Sequence, residues 1–519
     1  MTCSDESQFI QMNDQMVEQW GLFEAAFIGP RDGNPYVDVS LSAWLMCGDT
    51  IINTAGFFDG DGTYRIRCMP NRVGRWEYVT HSSHPELDGK QGTFECVVPS
   101  EDNHGPVGVR NQYHFAYADG TPYYPFGTTC YAWTHQGESL EVQTLQTLAE
   151  KPFNKLRMCV FPKHYPYNRN EPPLHPFERD AQGNPDFKRF NPAFFQHIEQ
   201  CIGQLGALGI EADVILWHPY DRWGYANMDE DADLRYLRYL IARLAAFRNV
   251  WWSLANEYDF LLRVKPMERW HRFFAVLAAE DPYQHLRSIH NGDPDMNYDH
   301  TRPEVTHVCI QNWDVKRIHA WRASYGKPVI NDELEYEGNI PMPWGNIHAD
   351  ELVHRCWIMA VNGGYAGHGE TYVHSDDVLW WSKGGKLYGE SWRGFAFLRR
   401  IIEESAGHGL TPIADVPENR IFPRVLTQWY WTRIAGGMAE DCYLIYLGEH
   451  QMAALPVWLE DDAYEIDIID TREMTIQPGD LQPFNDDVMG HNPHIEQHKP
   501  NYYVTLPTRP YQAVRFRRL

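Results

Sequence analysis

Positive charge is scarce in this chain: 45 Lys and Arg stand against 70 Asp and Glu, a formal net charge of −25. That balance argues against nucleic acid or an anionic membrane as the main partner and leaves a neutral substrate open. Long apolar runs are missing as well. No stretch approaches the ~18 residues of a membrane helix, so no membrane span is expected. The first residues, 1–11, lack the basic start and apolar middle of a secretion signal. The ten cysteines are scattered without any C-x-x-C pair, and Cys159 and Cys309 sit inside apolar runs, as reduced core cysteines do. A reducing, cytoplasmic setting is the expectation.

Several catalytic signatures are also lacking. There is no H-x-H and no H-E-x-x-H, which removes the usual paired ligands of metal-dependent hydrolases. There is no G-x-S-x-G nucleophile elbow. No glycine-rich phosphate loop follows any strand-like run, which disfavours an open doubly wound sheet. Neither cofactor nor metal is expected. His491, His494 and His498 read as a solvated loop rather than a metal site.

What is present in excess is aromatic: 14% of the residues, with 19 Trp and 29 Tyr. Rings are good platforms for the C–H faces of sugars, and they also fill the cores of barrels and sandwiches. At 519 residues the chain is too long for one ordinary core.

Its organisation reads as three parts: 1–105, 106–411 and 412–519. The first is all-β. Val37, Val39, Leu41, Ala43 and Leu45 alternate with polar residues, the period of a half-buried strand. Further strands are expected over 63–69, 76–81 and 92–98. Asp59-Gly60-Asp61-Gly62 is a tight hairpin turn rather than a calcium loop, since no distal glutamate follows at EF-hand spacing. Residues 100–109 read as a linker, followed by a hairpin that turns at Asp119-Gly120.

From there strands alternate with helices, the mark of a parallel α/β architecture. Strands are expected over 126–133, 155–161, 211–216, 249–257, 287–290, 306–311, 328–332 and 364–369. Helices are expected over 192–208, 231–247, 267–279, 315–325 and 349–361, and the step from the fifth to the sixth strand is irregular. Eight such strands make a (β/α)₈ barrel. After residue 412 the pattern returns to β, with strands over 443–447, 453–459, 464–470, 502–506 and 513–516. The expected fold is multidomain: a TIM barrel flanked by an N-terminal and a C-terminal β-sandwich.

Polar and aromatic residues accumulate after the barrel strands, where catalytic loops sit. Trp133, His164, Tyr165, His218, Asp221, Glu257, Asn312, Trp313 and Glu333 all fall there. Two runs stand out, Trp251-Trp252-Ser253-Leu254-Ala255-Asn256-Glu257 and Pro328-Val329-Ile330-Asn331-Asp332-Glu333. Each is an apolar strand ending in a carboxylic acid. Two carboxylates on different strand ends suit glycosidic bond cleavage, one protonating the leaving oxygen and the other meeting the anomeric carbon. Their environments must differ, because one has to be protonated while the other is ionised.

Asn256 is placed to donate to a sugar hydroxyl. Arg157 in strand 2 either holds Glu333 ionised or forms a structural ion pair. His164, Tyr165, His218, Asp221 and His368 are candidate substrate contacts, the histidines being equally readable as hydrogen-bonded structural groups. Trp133 is a further candidate substrate contact, and Trp313, Trp380 and Trp381 are candidate sugar platforms or core.

The sandwich–barrel–sandwich order, with F-F-D-G-D-G-T-Y (57–64), Y-A-D-G-T-P-Y-Y-P-F-G-T-T (117–129), W-W-S-L-A-N-E (251–257) and K-P-V-I-N-D-E-L-E-Y-E-G (327–338), resembles apiosidase-like glycoside hydrolases. The resemblance covers nearly the whole chain. It implies a clan A barrel and a retaining mechanism, with Glu257 as acid/base and Glu333 as nucleophile. Clan members often carry Gly directly before the nucleophile, where this chain has Asp332. Strand alternation points Glu335 the same way as Glu333; Glu333 is preferred because it directly follows the apolar run. The expected substrate is a carbohydrate, cut from an end of an oligosaccharide or small glycoside. A homo-oligomer is left open. The competing reading is a non-catalytic carbohydrate-binding protein on a decayed barrel.

Overall fold

The computed structural model describes residues 15–373, 379–416, 421, 434–459, 463–485 and 499–519. The stretch 1–11 and His491, His494 and His498 lie outside the described residues.

The N-terminal part packs a five-stranded sheet on a three-stranded one. Trp76, Tyr78, Phe94 and Leu45 of the first and Phe23, Tyr64 and Ile66 of the second share one core. One expectation needs correction. Val37 and Val39 do not extend the strand of Leu41–Cys47, because Pro35–Asp38 is a helical turn. Asn34 caps it by accepting from the Tyr36 amide, and Pro35 supplies the preset φ of a first helical residue. That local signal overrides the period-2 pattern.

The Asp59-Gly60-Asp61-Gly62 stretch is the expected tight turn, closed by Asp59 N to Thr63 O and Thr63 N to Gly60 O, both 2.8 Å. Gly60, Asp61 and Gly62 all take positive φ there. The carboxylate of Asp59 has a further role. It meets Arg243 of a barrel helix at 2.8 Å, while Arg67 of the sandwich meets Glu199 of another at 2.8 Å. These buried pairs dock the sandwich on the barrel. The expected linker is partly strand, since Val107–Arg110 pairs with His114–Tyr117.

The central part is an eight-stranded parallel sheet. Its strands in chain order are Gly127–Thr129, Lys155–Cys159, Glu211–Trp217, Val250–Ala255, Arg287–Ser288, Val308–Gln311, Val329–Glu333 and Tyr365–His368. We number them barrel strands 1 to 8. The sheet runs 5-4-3-2-1-8-7-6, and the remaining seam is joined by Thr306 N to Arg287 O at 2.9 Å and Arg287 N to Thr306 Oγ1 at 2.7 Å. Every residue of strands 3 and 4 is buried, as expected of strands with barrel core on one face and helices on the other.

Helices Pro192–Ala207, Glu230–Leu244, Met267–Glu280 and Ala349–Val361 fall where the periodicity places them. Glu230–Leu244 starts at an Asp229 cap and carries Glu230, Asp231 and Asp233 in its first turn, favourable for the amide dipoles there. Glu138–Glu150 and Ser391–Ser405 are two further helices. Among its described residues the C-terminal part again forms two sheets, six- and three-stranded. Ile445, Val514 and Phe516 of one pack against Leu455 and Val504 of the other. Among the described residues no helix is long and apolar enough to cross a membrane.

Candidate active site

The barrel interior holds a closed set of charges. Lys155 and Arg157 lie two apart on strand 2, so alternation sends both inward. Lys155 Nζ is 2.8 Å from Asp213 and 2.9 Å from Asp332. Arg157 Nε lies 3.7 Å and 3.9 Å from the same two carboxylates. Two cations thus meet two anions without access to water. Asp332 is a counter-ion of this set, and its neighbours hold it well below the usual carboxylate range.

Glu333 would ordinarily point away from Asp332. A register shift prevents this: Ile310 pairs with Asn331, but the next pair is Gln311 with Glu333, so Asp332 is the extra residue of a bulge. Such a bulge re-aims the side chain that follows it. Asp332 and Glu333 consequently both reach Arg157, which lies 3.4 Å from Glu333 Oε1. Strand 8 passes close behind, and a Cβ on Gly367 would lie 2.7 Å from the Asp332 carbonyl oxygen, so only glycine fits there.

Glu333 Oε1 also accepts a close hydrogen bond from the Tyr131 hydroxyl, and His290 Nε2 is 3.5 Å away. Tyr131 contacts Asn256 Oδ1 at 2.9 Å, and Arg157 Nη2 donates to the same oxygen at 3.2 Å. Burial pushes the Glu333 carboxyl up to about 8, with the Tyr336 hydroxyl acting against the rise. Tyr131 and Arg157 act in the same lowering sense, because both donate to the ionised form.

Glu257 lies two residues past the end of strand 4, in the left-handed region, φ 54° and ψ 54°. A non-glycine residue there stores about 1–3 kcal/mol unless its surroundings hold it. Here the backbone holds it: Tyr258 N donates to His290 O at 3.0 Å and Phe260 N to Glu257 O at 3.2 Å. Gly292 makes room, since a Cβ on it would lie 3.0 Å from that of Glu257. Burial raises the Glu257 carboxyl, offset in part by the Lys163 charge and the Tyr220 hydroxyl. Its Oε2 is buried without a hydrogen-bond partner among the described residues.

Both glutamates open on one cavity of about 610 Å³, within the usual range for a small-molecule site. Of the residues singled out in the sequence, Asn256, His164, Tyr165, Asp221, Asn312, Trp313 and Trp381 line it too. Trp313 is 60% exposed at its edge. Arg157 lies beneath it as part of the charge network.

Four others lie outside the lining. Trp133 is in a short helical turn within the barrel core. His218 is buried with Nε2 3.0 Å from the Phe161 carbonyl. His368 sits between Thr128 and Ser391, and Trp380 donates to Thr128 Oγ1 at 2.9 Å. Glu335 is on the wall, but the expected strand alternation does not reach it. The strand ends at Glu333, Glu335 has φ 73°, and its carboxylate pairs with Arg355 at 2.8 Å.

Tyr131, Lys163, Tyr167, Tyr220, Tyr336 and Trp344 also form the wall and were not singled out from the sequence. Lys163 carried a usable signal, a charged residue directly after the apolar run of strand 2. Among the described residues, Glu141, His197 and Cys201 form the one cluster of metal-ligand type. His197 Nε2 there is shared among Glu141 Oε1 at 3.3 Å, Cys201 Sγ at 3.8 Å and the Thr134 carbonyl at 3.0 Å.

An eight-stranded barrel presenting two carboxylic acids and aromatic walls at its C-terminal rim defines the class: a clan A glycoside hydrolase. Comparison with known families makes this specific. The Apiosidase-like catalytic domain matches residues 109–398, and the chain belongs to that family. Residues 16–83 match a domain of unknown function (DUF5060), and residues 431–517 match another (DUF5605).

Among solved structures, the chain is 39% identical to a "putative glycoside hydrolase" from Bacteroides vulgatus ATCC 8482, covering 97% of this chain and all of that one, with a TM-score of 0.85. A glycoside hydrolase family 5 structure from the same organism is 13% identical, covering 80% of this chain and 93% of that one, with a TM-score of 0.59. A further glycoside hydrolase structure is also 13% identical, with 80% and 97% covered and a TM-score of 0.58. The two distant likenesses bear on the fold alone. No curated protein matches.

Proposed function

We propose that the enzyme is a retaining glycoside hydrolase with Glu257 as acid/base and Glu333 as nucleophile, releasing sugar from the ends of oligosaccharides or small glycosides. The observation that carries this reading is the unlike setting of two acids on one cavity. Glu333 is gripped by donors, Tyr131 and Arg157 on one oxygen, which favour its ionised form. Glu257 has a buried oxygen with no donor among the described residues, which favours its protonated form.

Burial raises both carboxyls, that of Glu333 to about 8, so each gives up its proton less readily than a free glutamate. The nucleophile must be ionised when the sugar is bound, and the donors on Glu333, Tyr131 and Arg157, favour that form. In the first half-reaction Glu333 attacks the anomeric carbon while Glu257 protonates the departing glycosidic oxygen. In the second, Glu257 takes a proton from water, which attacks the same carbon and releases Glu333. Asn256, fixed by Tyr131 and Arg157, contacts the sugar beside the reacting carbon.

The cavity volume fits a short ligand better than a polymer cleft, which supports action at chain ends. A panel of aryl glycosides, pyranosides and furanosides of both anomers, tests the reading. Turnover of at least one member, with product released in its starting configuration, is expected. Inverted product would remove the retaining mechanism, and release of only internal fragments from polysaccharide would remove end-on action. Sugar binding without turnover across the panel would favour a binding protein on a decayed barrel.

A further inference from the structure

Lys163 differs from the other buried cations around the cavity. Its side chain is almost wholly buried, 1% exposed, yet it lines the cavity. Lys155 and Lys265, equally buried, each hold a carboxylate oxygen within 2.9 Å. Lys163 Nζ has neither an ion pair nor a hydrogen bond among the described residues. It is surrounded by rings instead: Tyr131 at 3.6 Å, Tyr220 at 4.4 Å, Tyr165 at 4.6 Å and Trp381 at 5.3 Å from their centroids. Ring faces offset part of the cost of burying an ammonium, but they take none of its three N–H donors.

The acids on the same wall are otherwise engaged. Asp221 accepts from the Trp223 and Ala226 amides at 2.7 Å each, and Glu335 pairs with Arg355. Glu257 acts on Lys163 only beyond ion-pair distance. Burial pulls the ammonium down to about 8, so it stays largely protonated at neutral pH.

A buried charge without a partner is expensive unless a ligand supplies one. We propose that Lys163 is a specificity-determining residue whose ammonium takes the carboxylate of an acidic sugar, so that the substrate is a uronic-acid-containing glycoside. This rests on the glycosidase reading of the same cavity. The chain's net charge of −25 does not oppose it at contact range, because salt screens remote charges beyond about 8 Å at physiological ionic strength. The carboxylate would complete the donors of Lys163 within the ring of aromatics, and the sugar's C–H faces would lie against Tyr165 and Trp381.

Titration calorimetry of the wild type with D-galacturonate and D-glucuronate, against D-galactose and D-glucose, tests the assignment. At least one uronate is expected to bind about tenfold or more tightly than its neutral counterpart, as a charge-assisted contact allows. Lys163→Met should abolish that preference, and Lys163→Arg should keep part of it, with thermal melts verifying that both variants fold. Equal affinity for acid and neutral sugars, no detectable uronate binding, or an undiminished preference in Lys163→Met overturns the proposal.

The two readings fail separately. Turnover of neutral glycosides with no uronate preference sinks this inference and leaves the hydrolase standing. A Lys163-dependent uronate preference with no turnover of any uronide or neutral glycoside does the reverse.

Discussion

The barrel interior and the barrel rim are both crowded with buried charge, and they handle it in opposite ways. In the interior, Lys155, Arg157, Asp213 and Asp332 compensate one another. At the rim, among the described residues, Glu257 keeps a buried oxygen without a donor and Lys163 an ammonium without an ion-paired anion. The interior set is balanced in charge without a ligand, although Arg157 Nε and Asp213 Oδ1 make no hydrogen bond among the described residues. The rim set is not, and its unmet valences mark where a substrate's polar groups belong. Arg157 joins the two, because it faces both Asp332 and Glu333.

The contrast can be broken at either level. The largest effect is expected at the rim, where Glu257→Gln and Glu333→Gln each lower kcat by about 10²–10⁴-fold or more, with melting temperature little changed. In the interior the consequence should be stability rather than rate. Asp332→Ala leaves Lys155 and Arg157 short of an anion and should cost about 3–5 kcal/mol in urea unfolding.

Between the levels, Tyr131→Phe removes a donor to the ionised Glu333 and should cost about 1.5–3 kcal/mol of transition-state stabilisation, roughly ten- to a hundredfold in kcat/KM. It also shifts the pH profile. Fewer donors disfavour the carboxylate, so the Glu333 pKa rises and the acid limb of kcat/KM moves to higher pH. A downward move would contradict the donor role. The smallest effect is expected at Glu335, whose partly exposed pair with Arg355 is worth about 0–1 kcal/mol; Glu335→Gln should retain activity within a few-fold.

Much of the barrel was legible in the sequence because its strands are apolar runs that stop at polar residues, and every one of the eight expected runs overlaps an observed strand, two of which extend one residue further. The turn at Pro35–Asp38 was misread because Val37 and Val39 fit a period of two while Asn34-Pro35, a cap followed by a proline, fits a helical start better. At the site, position after a strand tells which end of the barrel a residue occupies, but not which side of its loop it takes. Trp133, His218, His368 and Trp380 have the right end and turn into the core. Tyr167, Tyr220 and Trp344 come from loop positions that no periodicity marks. The bulge at Asp332 was likewise invisible, since it depends on register with strand 6. Without it, alternation would send Glu333 away from the side on which Asp332 meets Lys155.

The central claim is that Glu333 attacks and Glu257 delivers the proton. Chemical rescue with azide, using an activated aryl glycoside that the wild type turns over, tests it most directly. Glu333→Ala should recover activity by forming a glycosyl azide of inverted configuration, and Glu257→Ala by forming one of retained configuration. An inverted azide from Glu335→Ala, with none from Glu333→Ala, would contradict the account and move the nucleophile two residues along the chain.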